Sequence, residues 1–180
     1  MKQKAYIAGV GMTPFGNAID QSLSQLASTA INEALKDAGI GAKDLGAAYM
    51  GNAAAGVITG QVCVPGQVVL RNMGIGRIPV INVENACATS ATAFQQAATM
   101  VTLGVYDVVL VCGYEKLYHK DKEKTFSVFT GAIDVDQIDA IKAGLKTRNE
   151  AIGAELDMSQ AGITRSIFID IYIKGNQRIE

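Results

Sequence analysis

The sequence predicts an α/β fold built on a mixed, mostly parallel sheet that carries a buried central helix. Three observations support this prediction. Segments with strand-like and helix-like patterns alternate along the first 116 residues. Residues 107–113 form a β-branched run of the kind found in strands covered on both faces. Residues 87–103 are almost free of charge and rich in alanine, which is typical of a helix buried on all sides.

The first strand is expected at residues 5–10, where a short apolar run ends in glycines and Pro14. The first helix follows Ser22, because Ser22 and Gln25 form a capping-box signature and apolar residues then recur at helical spacing. Gly39 is expected to end this helix in a left-handed conformation. Further elements are predicted as a strand at 47–52, a helix at 61–73 and a strand at 79–83.

A helix that is apolar all round needs protein on both sides, so another domain or chain is expected to supply a further layer. Beyond residue 116 the charge rises and the periodicity weakens, with a short helix expected at 136–145. The tail, residues 162–180, has two interpretations. Isoleucine alternates from Ile167 to Ile173 as in a strand, whereas charged residues recur every fourth position from Asp170 as on a helix, and the helix is favoured.

Composition limits the class of protein. The 180 residues are 49% apolar and 18% charged, as in a globular domain. A net charge of −1 gives no basic field that would attract nucleic acid. No apolar stretch approaches the roughly 18 residues of a membrane span, and the N-terminal segment is expected to be a core strand rather than a signal peptide. Three cysteines without metal-ligand spacing favour reduced thiols, a cytoplasmic location and no metal site.

Cys87 is the candidate catalytic nucleophile. It follows a predicted strand and a polar turn, and it stands at the start of the predicted buried helix. The positive end of the helix dipole and the unpaired N–H groups there favour thiolate over thiol, and those N–H groups can donate to an oxyanion. Small neighbours leave room for a substrate. The pattern indicates covalent acyl transfer, with a buried structural cysteine as an equal alternative from spacing alone.

The other two cysteines are expected to be structural. Cys112 lies inside the strand that should be covered on both faces, where an apolar setting disfavours thiolate. Cys63 precedes a Pro-Gly bend and has no specific chemistry assigned to it.

The segment from Ile81 to Lys116 resembles the nucleophile region of the thiolases, especially the sterol-carrier-protein type and its archaeal and bacterial relatives. Tyr6 to Gly16, YIAGVGMTPFG, also resembles the first strand and loop of that family. The resemblance rests on the residues Val83, Asn85, Cys87, Ala88, Thr89, Ser90, Gly104, Asp107, Gly113, Glu115 and Lys116. It covers most of residues 5–118. Residues 1–118 are therefore interpreted as a thiolase N-terminal half-domain, one half of an αβαβα arrangement, and residues 119–180 as an incomplete loop domain.

The resemblance implies an acyltransferase that acts on coenzyme A thioesters through an acyl-Cys87 intermediate, in thiolysis or Claisen condensation of 3-ketoacyl-CoA. Coenzyme A is then a substrate, no metal or redox cofactor is implied, and the residues that bind it are unknown. The backbone N–H of Cys87 would be one donor of the oxyanion hole. Related members act as retro-aldolases or as ketoacyl or hydroxymethylglutaryl synthases, and nothing in this sequence separates those reactions.

Several features of the sequence depart from the family pattern. The family's second half supplies a catalytic histidine in a Gly-His-Pro motif, which this chain lacks. His119, the only histidine, is expected to be a solvated surface residue rather than a base for Cys87. Glu84 stands where many thiolases have an uncharged residue, and Ala91 where some have glycine. Glu84 is expected to be a buried or interface hydrogen-bond partner. The alternatives are that it holds the nucleophile loop or that its charge resists formation of the Cys87 thiolate. A lysine run is expected to be a solvated face rather than a phosphate site; its members are Lys116, Lys120, Lys122 and Lys124.

The expected partners follow from the missing half. We expect an acyl-CoA substrate, and a homodimer or a complex with a chain that carries the C-terminal thiolase half. The resemblance also suggests a small zinc-ribbon/OB-fold partner protein. The alternative is a non-catalytic subunit that binds acyl-CoA or lipid, or that stabilises a catalytic partner.

Overall fold

The computed structural model describes residues 4–16, 18–140, 143–144 and 170–174. Five strands and five α-helices are assigned within these ranges. They follow one another as β1 (Tyr6–Gly11), α1 (Leu23–Ala38), β2 (Ala47–Gly51), α2 (Ala55–Thr59), α3 (Pro65–Asn72), β3 (Val80–Val83), α4 (Thr89–Thr102), β4 (Val108–Gly113), α5 (Lys122–Thr130) and β5 (Asp170–Lys174).

The sheet confirms the predicted mixed, mostly parallel topology. Its strand order is β1-β5-β4-β2-β3. Strand β2 lies parallel to both β3 and β4, whereas β5 runs antiparallel to both of its neighbours, β1 and β4. Because a single strand opposes the others, the carboxyl ends of β2, β3 and β4 meet at one edge of the sheet.

The helix favoured for the tail is wrong for residues 170–174, which form strand β5. This segment is inserted between β1 and β4, so it has a hydrogen-bonding partner strand on each side. Isoleucine has a higher propensity for strands than for helices, and the two neighbouring strands decide between two patterns that the sequence alone left balanced. The rest of the predicted tail helix lies outside the described residues.

The close contact between α1 and β1 explains two glycines. Helix α1 begins with the predicted capping box, in which the Ser22 hydroxyl accepts from the Gln25 N–H, and it ends at Gly39 with φ of 66°. A Cβ atom at Gly11 would lie 2.1 Å from the Ala30 carbonyl oxygen, and one at Gly9 would lie 2.5 Å from a backbone nitrogen of the same helix. Only glycine lets this helix lie directly on the strand.

Two apolar clusters lie on opposite faces of the sheet. The first joins α1 and α3 to alternate sheet residues such as Met50, Leu110 and Cys112. The second joins α4 to the intervening residues, such as Tyr49 and Val111. Strand β2 is buried along its whole length, as expected for a strand covered on both faces. These clusters define three layers, in the order α1 with α3, sheet, and α4.

Helix α4 is not buried on all sides within this chain. One face is buried against the sheet through Thr89, Ala93, Ala97 and Val101. Residues on the opposite side, such as Ala91 and Gln95, are exposed. Helix α4 therefore carries no charged residue, although one of its faces is not covered by the described part of the chain. The expectation that another domain or chain covers this face stays a prediction.

Two short helices were not predicted. Helix α2 has five residues and carries no long periodic pattern. Helix α5 begins at Lys122 and is capped by the preceding Asp121, whose carboxylate accepts from the Glu123 N–H. The helix expected at 61–73 begins only at Pro65, a favoured first helical residue. In the segment 136–145, residues 138–140 and 143–144 are helical, and the others between 141 and 145 lie outside the described residues. No described helix has the length and apolarity needed to cross a membrane.

Candidate active site

A cavity of about 290 Å³ opens at the edge where β2, β3 and β4 end. Its lining combines the turn before α4 with the segments after β2 and β4 and with one side of α5. The lining residues are Gly51, Ala53, Ala54, Glu84, Ala86, Cys87, Thr89, Ser90, Tyr114, Glu115, Leu117, Val128, Phe129, Gly131 and Ala132. Side chains that are distant in sequence therefore meet around a single concave site.

Cys87 lines this cavity with an exposed, free thiol. It lies in a 3₁₀ turn, Ala86–Ala88, that leads directly into α4, so it precedes the helix instead of being its first residue. The sulfur is neither inside a strand nor sealed from the cavity, which are the two placements that would exclude acyl transfer. The catalytic role of Cys87 stays a prediction.

Side-chain hydrogen bonds hold the turn that carries Cys87. The Asn85 N–H donates to the Thr89 hydroxyl at 2.8 Å, and that hydroxyl donates to the Ala86 carbonyl at 2.7 Å. The Asn85 side-chain amide donates to the Thr92 hydroxyl at 2.9 Å. Ala86 has φ of 44°, a left-handed conformation that costs an L-residue of order 1 kcal/mol or more. Local hydrogen bonds therefore maintain a strained backbone beside the thiol.

Two of the amides around Cys87 already have acceptors. The Ala86 N–H donates to the Glu84 carboxylate at 2.6 Å, and the Ala88 N–H donates to the Asn85 carbonyl at 2.9 Å. These N–H groups are therefore not free to bind an oxyanion, contrary to the simplest form of the helix-terminus argument. The N–H of Cys87 itself remains the candidate donor within the turn.

Glu84 is exposed, so the expectation that it is buried is wrong within this chain, whereas the expected interface role stays a prediction. Its carboxylate accepts from Ala86 and holds the nucleophile turn, which was the alternative interpretation. Glu84 also lines a second cavity, of about 290 Å³, on the side of α2 and α3.

The Glu115 carboxylate, which follows β4, accepts hydrogen bonds from residues that follow β2 and from its own neighbour. One carboxylate oxygen accepts from the N–H groups of Ala53 and Ala54, each at 2.9 Å, where α2 begins. The other accepts from the Asn52 side chain at 3.3 Å and from the Lys116 N–H at 3.1 Å. The Glu115 carboxylate thus fixes one wall of the cavity. The Gly-x-Glu-Lys motif after a buried strand was the signal for this residue, but it did not reveal what Glu115 contacts.

The lysine run does not act as one surface. The Lys116 ammonium donates to backbone carbonyls between β1 and α1, those of Ala18, Ile19 and Gln21. It is therefore neither solvated nor free for a phosphate, and both interpretations are wrong for Lys116. The Lys122 ammonium lies 4.0 Å above the centre of the Tyr118 ring, and Lys120 is exposed.

His119 is partly buried instead of fully solvated, and it is not among the residues that line the cavity. Its Nδ1 accepts from the Asp121 N–H at 3.1 Å, and its backbone N–H donates to the Thr125 hydroxyl at 3.0 Å. His119 therefore stabilises the start of α5. Within the described residues, no group of three or more metal-ligating side chains comes together.

The other two cysteines occupy contrasting places. Cys112 is fully buried in β4, as expected, and Cys63 is exposed just before α3. Next to Cys112 in the fold, the Tyr114 side chain is 1% exposed. Burial, and then the neighbouring Cys112 and Glu115, raise the pKa of the Tyr114 hydroxyl well above its ordinary value, so it stays neutral in the working pH range.

Comparisons with known proteins agree with this geometry. Residues 5–165 match the family model "Thiolase, N-terminal domain". The benzoylsuccinyl-CoA thiolase subunit BbsB of Thauera aromatica is 32% identical over 180 residues, which cover 98% of this chain and 44% of that protein. An acetyl-CoA acetyltransferase of Methanocaldococcus jannaschii is 39% identical over 111 residues, 62% of this chain and 28% of that protein. Sterol carrier protein 2 of Gallus gallus is 32% identical over 136 residues, which cover 74% of this chain and 24% of that protein.

Solved structures share the fold at lower identity. The H285D variant of OleA from Xanthomonas campestris superposes with a TM-score of 0.67 at 15% identity, over 96% of this chain and 56% of that one. An acetyl-CoA acetyltransferase from Syntrophomonas wolfei superposes with a TM-score of 0.55 at 22% identity, over 62% of this chain and 29% of that one. The chain spans less than half the length of the three relatives named above. Since the thiolase model matches most of its residues and the fold agrees, the chain belongs to the thiolase family of acyltransferase enzymes, within which it corresponds to the N-terminal domain.

Proposed function

We propose that this chain carries the nucleophile of an enzyme that transfers acyl groups from coenzyme A thioesters, with Cys87 as the acyl acceptor. The observation that carries the proposal is an exposed thiol on a braced, strained turn that opens into a largely apolar cavity. A rigid turn supports nucleophilic catalysis because the sulfur is held in place before the substrate arrives.

In the proposed reaction, the Cys87 thiolate attacks the thioester carbonyl carbon. The carbonyl oxygen becomes an oxyanion, for which the Cys87 N–H is the proposed donor within this chain. The bond to coenzyme A sulfur then breaks, and the coenzyme A thiolate leaves and takes up a proton. The resulting acyl-Cys87 thioester keeps the activation of the substrate. In Claisen condensation, a substrate carbanion then attacks the acyl-Cys87 carbonyl, takes the acyl group and releases the Cys87 thiolate. In thiolysis, Cys87 instead attacks the 3-keto carbon of a 3-ketoacyl-CoA, the C2–C3 bond breaks, acetyl-CoA leaves as its enolate and takes up a proton, and free coenzyme A then accepts the acyl group from Cys87.

Selective alkylation tests the role of Cys87 directly. Iodoacetamide near neutral pH is expected to modify Cys87 faster than Cys63, which is also exposed but lies outside the Cys87 cavity. An acyl-CoA is expected to protect Cys87 and to leave an acyl adduct on it, and the Cys87→Ser variant should lose that adduct. Equal alkylation of Cys63 and Cys87, with no protection, favours the second candidate, a non-catalytic subunit that binds acyl-CoA or lipid.

The thiolase, retro-aldolase and synthase reactions of the family stay open, because each depends on acid–base groups beyond Cys87. We propose that a second thiolase half, on another chain or segment, supplies them. Support comes from the uncharged outer face of α4 and from the absence of His119 from the cavity lining. The isolated 180-residue chain is therefore expected to show no ordinary thiolytic turnover of acetoacetyl-CoA, and turnover at such rates would refute the need for a second half.

We further propose a dimer formed through the sheet edge at β3. Strands β1 and β3 stand at the two ends of the sheet. At β1, the Val10 N–H donates to Asp37 at 2.8 Å and the Met12 N–H to Glu33 at 3.2 Å, so helix α1 blocks that edge. Within the described residues, no acidic side chain accepts from a β3 amide in this way, which supports β3 as the edge that meets a partner. The zinc-ribbon/OB-fold partner and the cytoplasmic location stay predictions.

A further inference from the structure

The Cys87 cavity has a mixed lining. Cys87, Thr89 and Ser90, from the turn and the start of α4, share it with the apolar side chains of Leu117, Val128 and Phe129, from α5 and the segment before it. Val128 is 9% exposed. Small residues such as Ala53 and Ala132 also line the cavity. An acyl chain carried by the Cys87 sulfur would therefore share the cavity with apolar side chains.

The cavity is too large for an acetyl group alone. Its volume is about 290 Å³. A water molecule accounts for about 30 Å³ in the liquid, and a methylene group is of similar size, so roughly ten such groups match the volume of the cavity. Each methylene that moves from water into an apolar site gains roughly a fourfold preference. The lining therefore favours acyl chains of several carbons.

The charged groups that line this cavity, in the part of the chain that the structure describes, are two carboxylates. Glu115 is engaged by four N–H donors, which offset its charge. Glu84 accepts from Ala86, the residue before Cys87, and this bond fixes the Glu84 carboxylate beside the nucleophile turn. An acyl group that carries its own carboxylate would enter a site where a fixed negative charge is already present, without a described lysine, arginine or histidine in the lining.

We propose that the Cys87 cavity takes a neutral, apolar acyl group longer than acetyl, and that the Glu84 carboxylate at the nucleophile turn excludes acyl groups that bear a carboxylate. This inference rests on the proposed acyl-transfer function and names the substrate class of the same site. Leu117, Val128 and Phe129 contact the chain, and Glu84 is the residue that determines selectivity for charge.

Alkyl methanethiosulfonates test the cavity without requiring acyl transfer. In each reaction the thiolate attacks the sulfenyl sulfur, a mixed disulfide forms, and methanesulfinate leaves. Mass mapping of the 180-residue chain gives separate rates for Cys87 and for Cys63, the exposed thiol outside this cavity. The ratio of the Cys87 rate to the Cys63 rate is expected to rise from methyl to butyl and hexyl reagents, by up to fourfold per methylene. The anionic 2-sulfonatoethyl reagent is expected to give a ratio roughly tenfold below that of propyl.

Variants assign these effects to residues. Glu84→Gln keeps an oxygen that can accept from the Ala86 N–H and removes the charge, so it should raise the sulfonatoethyl ratio to that of propyl. The control, Glu123→Gln, changes an exposed residue of α5 and should leave the sulfonatoethyl ratio low. Phe129→Ala should flatten the dependence on chain length, whereas Ser127→Ala, exposed on the same helix, should leave it unchanged.

A ratio that does not change with chain length, or a sulfonatoethyl ratio equal to that of propyl in the unmodified chain, overturns the proposal. Hexanoyl-CoA and succinyl-CoA provide the corresponding comparison with thioesters, and faster acylation of Cys87 by hexanoyl-CoA is expected. Equal acylation by the two would overturn the substrate class while supporting acyl transfer. Failure of every acyl-CoA to acylate Cys87 would instead overturn the proposed function, and with it the acyl assignment.

Discussion

At the scale of single residues, the site depends on polar atoms in tightly defined surroundings. Ala86 keeps a left-handed backbone because its neighbours bond both its N–H and its carbonyl. Glu115 uses one carboxylate for four donors, which is close to the capacity of that group. These contacts are local in space, yet Glu115 is more than sixty residues from Ala53 in sequence.

The Tyr114 hydroxyl provides a stability test. It is buried, and it has no hydrogen-bond partner within the described parts of the chain. A buried unsatisfied polar group costs about 1–3 kcal/mol, so Tyr114→Phe is expected to raise the free energy of unfolding at pH 7 by about 1 kcal/mol. Urea denaturation measures this change, and a loss of more than 1 kcal/mol would contradict the assignment.

Tyr114 also predicts a dependence on alkaline pH. Its folded pKa is raised, chiefly by burial, above the unfolded value near 10. The contribution of protonated Tyr114 to the free energy of unfolding is therefore fully present below pH 10. It is lost as the pH rises above 10, because the unfolded chain gives up this proton first. The free energy of unfolding should fall more steeply above pH 10 in the parent chain than in Tyr114→Phe. Parallel slopes would contradict this.

At the scale of elements, the short connections between strands and helices decide the shape of the cavity. Helix α2 has only five residues, so its own hydrogen bonds give it little stability. Glu115 supplies acceptors for the amides of Ala53 and Ala54, immediately before that helix. The position of the cavity wall beside Cys87 therefore depends on a carboxylate that follows β4.

Glu115→Ala is expected to destabilise the chain by about 2 kcal/mol, because the Ala53 and Ala54 amides lose a charged acceptor. Hydrogen exchange at these two amides should speed up more than exchange in the middle of α4. Glu123→Ala, at an exposed position in α5, is the matched control and should change stability by less than 0.5 kcal/mol or so. Unchanged protection of residues 53 and 54 would show that Glu115 does not hold this wall.

The contact between β1 and α1 is tested by filling the space at Gly11. A Cβ there would lie 2.1 Å from a backbone oxygen of α1, so Gly11→Ala must push the helix away from the strand. A loss of about 3 kcal/mol is expected from such overpacking. Gly76→Ala is the control, because nothing lies within 4 Å of that Cβ, and it should be neutral or slightly stabilising. Thermal unfolding of the two variants distinguishes these outcomes.

At the scale of the whole molecule, the described residues form three layers, and two surfaces of these layers are not covered by other described residues. These are the outer face of α4 and the sheet edge at β3. A three-layer domain that ended at α4 would normally carry charged residues on its outer helix face. The uncharged face of α4 and the blocked edge at β1 together favour association with another chain or segment.

Native mass measurement tests this expectation. The purified chain is expected to have at least twice the mass of one polypeptide at micromolar concentration, because the β3 edge and the face of α4 are then covered. Adding charge at an exposed position of α4, as in Ala91→Glu, should shift the mass toward that of the monomer if that face is buried in the assembly. The same change at exposed Lys120, Lys120→Glu, should not. A parent chain that is purely monomeric would contradict association between copies.

The sequence by itself determined the layered α/β class, the capping box and Gly39 end of α1, the buried strand β4 and the position of Cys87 before a charge-free helix. Each of these is encoded by residues close together in the chain, through hydrogen-bonding patterns or periodic burial. The family resemblance had the same origin, since its motif lies within one continuous segment.

Only the tertiary structure showed that residues 170–174 form a strand and that α5 contributes apolar side chains to the cavity. The same holds for the four donors to Glu115 and for the carbonyl groups that Lys116 contacts. The tail sequence was balanced between two periods, and two neighbouring strands select one of them. The contacts of Glu115 and Lys116 join positions separated by about sixty to a hundred residues. Local propensity carries no information about such pairs, because they depend on how the sheet brings the ends of distant strands together.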